Sequence, residues 1–350
     1  MRIVAVEELT ADMELVREVL DPDTGRILLM KGARGLVHHA DRLRGIGIHY
    51  LYVKDDIAGD VEIPAAIAEE TRICAEQALD RIYEKCELDQ RPDYQQIKQT
   101  VRILIGKILD NPDMLVNVYE MQCCGGDFLS HSVNVAFLSL LMGSRLEYDD
   151  EKMHKLGMGA LLHDIGVAGM PSSLLKNREE FTVEEKLLYE QHAVIGYYRV
   201  KDSWEISPLS RGVLLCHHER SDGSGYPRRL LKGDIHEFSR IVGLVDCLEE
   251  LAGGHPFSRR LSIQEALEIL NSKAGDWFDR ELVKLFVDCI PACPTGTTVL
   301  LNDGRKAVVV AQNKGFPLRP VVRIFEDAAG KRVVPGQEVD LLQANYLVIV

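Results

Sequence analysis

Five histidines and two aspartates constrain this chain more than any other feature: His131, His163-Asp164, His192, His217-His218 and Asp246. Two short stretches anchor the set. One is Leu161-Leu162-His163-Asp164-Ile165-Gly166; the other is His217-His218-Glu219-Arg220-Ser221-Asp222-Gly223-Ser224-Gly225-Tyr226-Pro227. Imidazole and carboxylate together hold Fe, Mn or Zn, so a fold that gathers these seven side chains suits a two-metal hydrolytic site. A lone His-Asp pair is usually a polar pair near a helix end, and only the joint occurrence carries the reading. Gathered without metal, the same groups would leave much unpaired polarity in a helical core.

The pattern around them is helical. Residues 127 to 290 run helix after helix with short polar turns and no alternating strand pattern. Gly125-Gly126 precedes a helix bearing His131, with an apolar face of Val135, Leu138, Leu141 and Met142. Asp149-Asp150 offers a cap for a helix through Leu156 to Ile165 that carries His163 and Asp164. A helix from about Thr182, with Glu184-Glu185 in its first turn, carries His192. Leu214 to Glu219 reads as another. Upstream, Val61 to Leu109 is helical in pattern, broken at Asp89 to Asp93, and its second half has an Ile97, Val101, Leu104, Ile105, Ile108 stripe. Asn111-Pro112-Asp113 ends it, and Met114 to Cys123 starts a further helix.

The two ends differ. In residues 1 to 58, Met13 to Leu20 has strand character, and Asp21-Pro22-Asp23-Thr24-Gly25 is turn chemistry leading into Ile27-Leu28-Leu29. A short helix over Ala33 to Leu43 and a strand over Ile48 to Val53 complete a small α/β unit. His38-His39 has no nearby carboxylate or cysteine to complete a site. After Pro291, Thr297 to Leu301, Ala307 to Ala311, Val321 to Phe325 and Tyr346 to Val350 are short β-branched runs between turn residues, the mark of a small antiparallel β domain. The expected fold is mainly α: an all-helical core with a small N-terminal α/β unit and a small C-terminal antiparallel β domain. The boundaries are 1–58, 59–122 as a helical connector or first layer of the core, 123–290 for the catalytic core, and 291–350.

Composition narrows the partners. A net charge of −13 argues against a broad basic face for duplex nucleic acid. No apolar run approaches the ~18 residues of a membrane helix, and Glu7 and Glu8 stand where a signal peptide would need apolar residues. Cysteines 74, 86, 123, 124, 216, 247, 289 and 293 show no C-x-x-C spacing and read as ordinary thiols of a reduced, cytoplasmic protein.

From His131-Ser132-Val133-Asn134-Val135-Ala136, through His163-Asp164, Glu190-Gln191-His192 with Ile195-Gly196, the long His217 to Pro227 signature, and Ser239-Arg240-Ile241 to Val245-Asp246, the ordered motifs resemble the HD-GYP family. These are bacterial hydrolases that linearise cyclic di-GMP. The match covers roughly residues 125 to 290. The resemblance implies that Asp164 bridges two transition-metal ions, Fe or Mn first and Zn or Ni as alternatives. His131, His163 and Asp246 would hold one ion, and His192, His217 and His218 the other. It implies catalysis at His163 and Asp164, in-line attack of water on phosphorus, release of the ribose 3′-oxygen, and linear pGpG followed by GMP. Gly223, Gly225 and Tyr226 would shape the substrate entrance, with Arg259 as a further substrate contact. Asp127 is read as a helix cap in preference to a ligand of a third metal. The flanking domains are the expected surfaces for a homodimer or a protein partner.

Three departures from the family pattern bear on rate. Val167 stands where the family usually has Lys after His-Asp-Ile-Gly. His255-Pro256-Phe257-Ser258 replaces the usual Arg-Pro-Tyr-Arg, although Arg259 and Arg260 follow. The ligand set is complete while cations that would contact phosphate are thinned. Slow hydrolysis is therefore expected, and the alternative is a catalytically weak cyclic di-GMP receptor that signals through its flanking domains.

Overall fold

The computed structural model describes residues 1–20, 26–46, 48, 50–61, 63, 67–88, 90, 92–111, 115–116, 128–171, 174, 181–253, 261, 263–291, 293–313, 316 and 318–350. The chain forms two compact units. One contains residues 1–66, 115–125 and 290–350, and the other 67–114 and 126–289.

The second unit is helical, built around α4, Phe128–Arg145 (elements are numbered in chain order). Every residue from Ser130 to Gly143 is buried. The sequence suggested one apolar face on this helix; the structure buries it all round, as befits the central helix of a bundle. Its neighbours are α2 (Glu69–Glu87), α3 (Gln95–Asp110), α5 (Asp150–Leu161), α8 (Glu237–Gly253) and α10 (Arg280–Cys289). The apolar stripe of α3 is buried as its spacing requires. Arg72 on α2 is buried as well: it donates to the Asn134 side-chain oxygen on α4 at 2.9 Å, and Asn134 donates to Glu249 on α8 at 3.0 Å.

Local chemistry starts these helices, α5 and α6 where the sequence reading put them and α7 six residues before the expected Leu214. The Asp149 carboxylate accepts from Lys152 N at 2.8 Å and opens α5. Thr182 and Glu185 form a reciprocal capping box at the head of α6, Val183–Val200. Ser207 caps α7, Pro208–Cys216, with Pro208 in the first turn, where a missing N–H costs nothing. The helix ends differ from expectation. The α5 helix stops at Leu161, so His163 and Asp164 sit in the turn before a 3₁₀ segment at Ile165–Val167. Likewise α7 stops at Cys216, and His217, His218 and Glu219 follow it. Backbone that leaves the helix can aim adjacent side chains at one point, which the ~100° step of a continued helix would prevent.

The first unit is mostly β. Strands β1 (Arg2–Ala5), β5 (Tyr50–Lys54) and β2 (Glu14–Leu15) form an antiparallel sheet, while β3 (Val19–Leu20) pairs with β4 (Ile27–Leu29). The turn expected at 21–25 and the helix expected at Met114 to Cys123 lie outside the described residues, apart from 115–116. A meander of β6 (Thr298–Leu300), β7 (Lys306–Ala311), β8 (Val321–Glu326) and β9 (Arg332–Asp340) follows near the C-terminus. Its fourth strand is Arg332–Asp340 and not Tyr346–Val350, which makes only an isolated Leu301–Ile349 bridge. Charged and glycine residues in β9 hid it from a search for β-branched runs. Ile3 N donates to Gly296 O at 2.7 Å, and Arg2 reaches both Asp55 (2.6 Å) and Thr298 (2.9 Å), tying β1 to the strand that begins the meander.

Candidate metal centre

Two close backbone approaches, licensed by three glycines, assemble the site. A Cβ on Gly166 would overlap the carbonyl oxygen of His192 and come within 2.6 Å of Gly196 N. Gly166 and Gly196 therefore let the turn after α5 lie against α6, bringing His163 and Asp164 to His192. A Cβ on Gly243 would overlap the carbonyl oxygen of His217, so α8 meets the end of α7 equally closely and sets Asp246 beside His217 and His218.

All seven residues singled out from the sequence converge. Asp164, 3% exposed, divides its oxygens. Oδ1 lies 3.4 Å from His192 Nε2 and 3.6 Å from His217 Nε2. Oδ2 lies 3.3 Å from His163 Nε2 and 3.8 Å from His131 Nε2. Asp246 divides as well: Oδ1 is 3.0 Å from His131 Nε2 and 3.5 Å from His163 Nε2, and Oδ2 is 3.6 Å from His218 Nδ1.

The imidazole tautomers decide what this arrangement can hold. His163 Nδ1 is 2.8 Å from Ala160 O, His192 Nδ1 is 2.7 Å from Tyr189 O, and His217 Nδ1 is 3.1 Å from both Val213 O and Leu214 O. A carbonyl can only accept, so each Nδ1 carries the proton and each Nε2 of the neutral ring presents a lone pair. His192 Nε2 and His217 Nε2 then face each other at 3.2 Å with no proton between them. His163 Nε2 and Asp164 Oδ1 are buried without a hydrogen-bond partner. Converging lone pairs and carboxylate oxygens in a dry core repel unless a cation sits among them, and backbone-anchored rings are the usual support of a metal-binding histidine. The donors fit metal. Groups able to take an ion are Asp164-His192-His217-His218, His131-His163-Asp164 and His163-His217-Asp246.

Electrostatics agree. Burial holds His192 down to a pKa of about 4, and burial with His217 beside it holds His218 well below the ordinary value, so both rings are neutral ligands at pH 7. For His163 burial opposes charging, but Asp164 and Asp246 outweigh it and raise its pKa; both carboxylates stay ionised.

Of the entrance residues, Gly223 has φ +80° and Gly225 is a packing glycine: a Cβ there would strike Arg220 N and His218 O. The loop folds back so that Tyr226 N donates to His218 O at 3.2 Å and the Tyr226 ring stacks on His218 at 4.6 Å. Glu219 holds the far side of the loop, accepting from Arg228 N and Leu230 N at 2.6 and 2.8 Å. Val167 is 2% exposed in its 3₁₀ turn. Asp127, His255, Ser258 and Arg259 lie outside the described residues. Sequence reading passed over Glu250, which joins His218 and Asp246 in a further potential ligand group. The available signal was its spacing, four residues past Asp246 on one helix face.

Comparison with known proteins places this architecture. The HD domain family matches residues 115–282, and the KOW domain associated with HD domain matches 298–350. The cyclic di-GMP phosphodiesterase PA4108 of Pseudomonas aeruginosa is 29% identical over 82% of this chain and 71% of its own length. The cyclic di-GMP phosphodiesterase PdeB of Borreliella burgdorferi is 30% identical over 55% of this chain and 50% of its own. Among solved structures, the HDG"Y"P protein Bd1817 of Bdellovibrio bacteriovorus shares the fold, with a TM-score of 0.52 and 17% identity over 82% of this chain and 98% of that one. The chain belongs to the HD-GYP family. Its signature residues, from His131 to Asp246, are those that meet in the buried cluster. The six described cysteines of this HD-GYP chain are free, and no described helix is long and apolar enough to cross a membrane.

Proposed function

We propose that this protein is a metal-dependent phosphodiesterase that hydrolyses the 3′,5′-phosphodiester bonds of cyclic di-GMP, giving pGpG and, by a second cut, GMP. The observation that carries the reading is the convergence of the His163, His192 and His217 Nε2 lone pairs around a carboxylate, Asp164, whose two oxygens face opposite ligand sets. His131, His163 and Asp246 would hold one ion and His192, His217 and His218 the other, with Asp164 serving both. A first-row pair, iron or manganese, would supply there an activated water at neutral pH and positive charge for the phosphoryl oxygens. A water oxygen–phosphorus bond forms, the bond to the ribose 3′-oxygen breaks, and that oxygen leaves with a proton. The chain's own part is to fix the ligand rings through backbone carbonyls and to exclude bulk water with the stacked Tyr226 and the 220–230 loop. Gly223 and Gly225 shape the entrance, and Arg259 adds a substrate cation. Free thiols suit a cytoplasmic setting.

The test is incubation of metal-loaded protein with cyclic di-GMP and separation of pGpG from GMP; absence of both products refutes the enzyme. A second reading, a receptor with weak turnover, draws on Val167, an apolar side chain in place of the family's usual lysine. A cation beside the phosphate is worth ~10²–10³ in rate, so turnover here is slow. Val167→Lys should raise it at least about threefold at unchanged metal content. Because Val167 is buried, the variant's melting temperature must be measured alongside. A folded, loaded and no faster variant assigns the slow step elsewhere.

A further inference from the structure

The cluster does not end at the seven signature residues. Glu250 lies one turn past Asp246 on α8, and ligand atoms of His218, Asp246 and Glu250 come within 4.8 Å of one another. The backbone fixes this grouping, since residues four apart share a helix face. Asp246 already spends one oxygen on His131 and His163, and its other oxygen turns to His218, the side on which Glu250 stands. Among the described residues Glu250 makes no hydrogen bond or salt bridge of its own. Of the positive groups acting on it, His163 comes first and Arg220 second, and the Arg220 guanidinium is laid over the Trp277 ring at 3.5 Å. Two carboxylates one turn apart in a largely buried site, Asp246 met only by imidazoles and Glu250 by no lysine or arginine at contact distance, draw a cation to the group they form with His218.

We propose that Glu250 is a metal ligand and that, with Asp246 and His218, it forms a third cation position flanking the pair; this rests on the dinuclear reading above. Two oxygen donors and one imidazole suit a harder ion, Mn²⁺ or Mg²⁺, over Zn²⁺. His218 also belongs to the Asp164-His192-His217 group. Filling the third position therefore leaves Asp164, His192 and His217 as a three-ligand set with room for substrate oxygen. Its three protein ligands include Asp246 and His218, both shared with the pair, and this makes it the weakest of the three positions.

The experiment uses the full chain, stripped with chelator and titrated with Mn²⁺ in equilibrium dialysis, with bound metal measured by elemental analysis. Wild type should saturate at about three ions per chain, two retained through desalting and a third at least about tenfold looser. Glu250→Gln, which keeps the shape but loses the anionic ligand, should saturate at about two and keep the tight pair. Glu250→Ala repeats the measurement should Gln perturb packing, and melting of the stripped variants checks that each is folded. Equal saturation of wild type and both variants overturns the assignment of Glu250, whether at two ions or three. Wild type that retains fewer than two ions overturns the dinuclear reading itself, and this inference with it.

Discussion

The two compact units use charge in opposite ways. The helical unit hides its ionisable groups: His163, His192 and Asp246 are essentially inaccessible, and Arg72, Asn134 and Glu249 form a chain through the core. The β unit keeps most of its own at the rim. Arg323 joins Asp60 (2.6 Å) and Glu338 (2.7 Å), with both acids more than half exposed, and Arg332 pairs with an exposed Asp56. Its interior is apolar, with Val299, Leu301, Ala307, Val309, Val322, Ile324, Leu341 and Leu347 packed as one cluster. Buried ionisable groups cost several kcal/mol each unless something compensates, whereas rim pairs are worth ~0–1 kcal/mol. The helical unit therefore bears an expense that stability alone does not explain, and a cation explains it.

The largest effect expected from breaking this contrast is at Asp164. Asp164→Ala removes the carboxylate shared by both ligand sets. Metal analysis should show the pair lost, and cyclic di-GMP hydrolysis should fall by roughly 10³-fold or more, the scale of several kcal/mol of transition-state stabilisation. A variant that kept both ions would refute the bridging role. Next is Gly166→Ala, which changes no ligand. Its Cβ must push the His163-Asp164 turn away from α6, so denaturant unfolding should show a loss of about 3 kcal/mol, with weakened metal retention. Unchanged stability would mean that the close approach is not required.

Arg72→Met tests the other buried network. It takes away the donor to the Asn134 oxygen inside the helical unit. The expected cost is about 2–3 kcal/mol by chemical denaturation, at unchanged metal stoichiometry. A loss of metal instead would tie this network to the cluster through α8. The smallest effect belongs to the rim of the β unit. Arg323 depresses the Asp60 carboxyl to a pKa of about 2. Its contribution is thus fully present above the unfolded carboxylate pKa and lost as pH falls through about 2. Asp60→Asn should flatten the acid limb of stability for that unit only slightly and change nothing at pH 7 in high salt. A large change at neutral pH would show that this rim pair is not the weak interaction its exposure implies.

Much of the molecule was legible without coordinates. Asp149 and Thr182 with Glu185 announce helix starts by satisfying local N–H groups, and that chemistry is encoded within four residues; the start of α7 at Pro208, six residues before the Leu214 expected, was missed. The α3 stripe and the β-branched runs of β6, β7 and β8 are equally local. The ligand set was readable because imidazole and carboxylate chemistry restricts which residues can serve, and because the long His217 to Pro227 signature has few alternative uses. Strand β9 was not readable, since its place depends on pairing with β8 and not on its own composition.

Tertiary structure alone decided the rest. The amino-acid order named His163, Asp164, His192, His217 and Asp246, but the close approaches at Gly166, Gly196 and Gly243 are what bring each of these histidines within 4 Å of an aspartate. It could not reveal that three rings are held by backbone carbonyls three or four residues back with their lone pairs turned inward, because which carbonyl a ring reaches depends on the side-chain conformation its packing selects. Nor could it enrol Glu250, one acid among many on a helix until α8 is laid against the end of α7. Residue identity fixes what a side chain can bind; the packing of backbone on backbone fixes which side chains share a cation, because coordination needs several donors within a few ångströms and local sequence controls only its own turn.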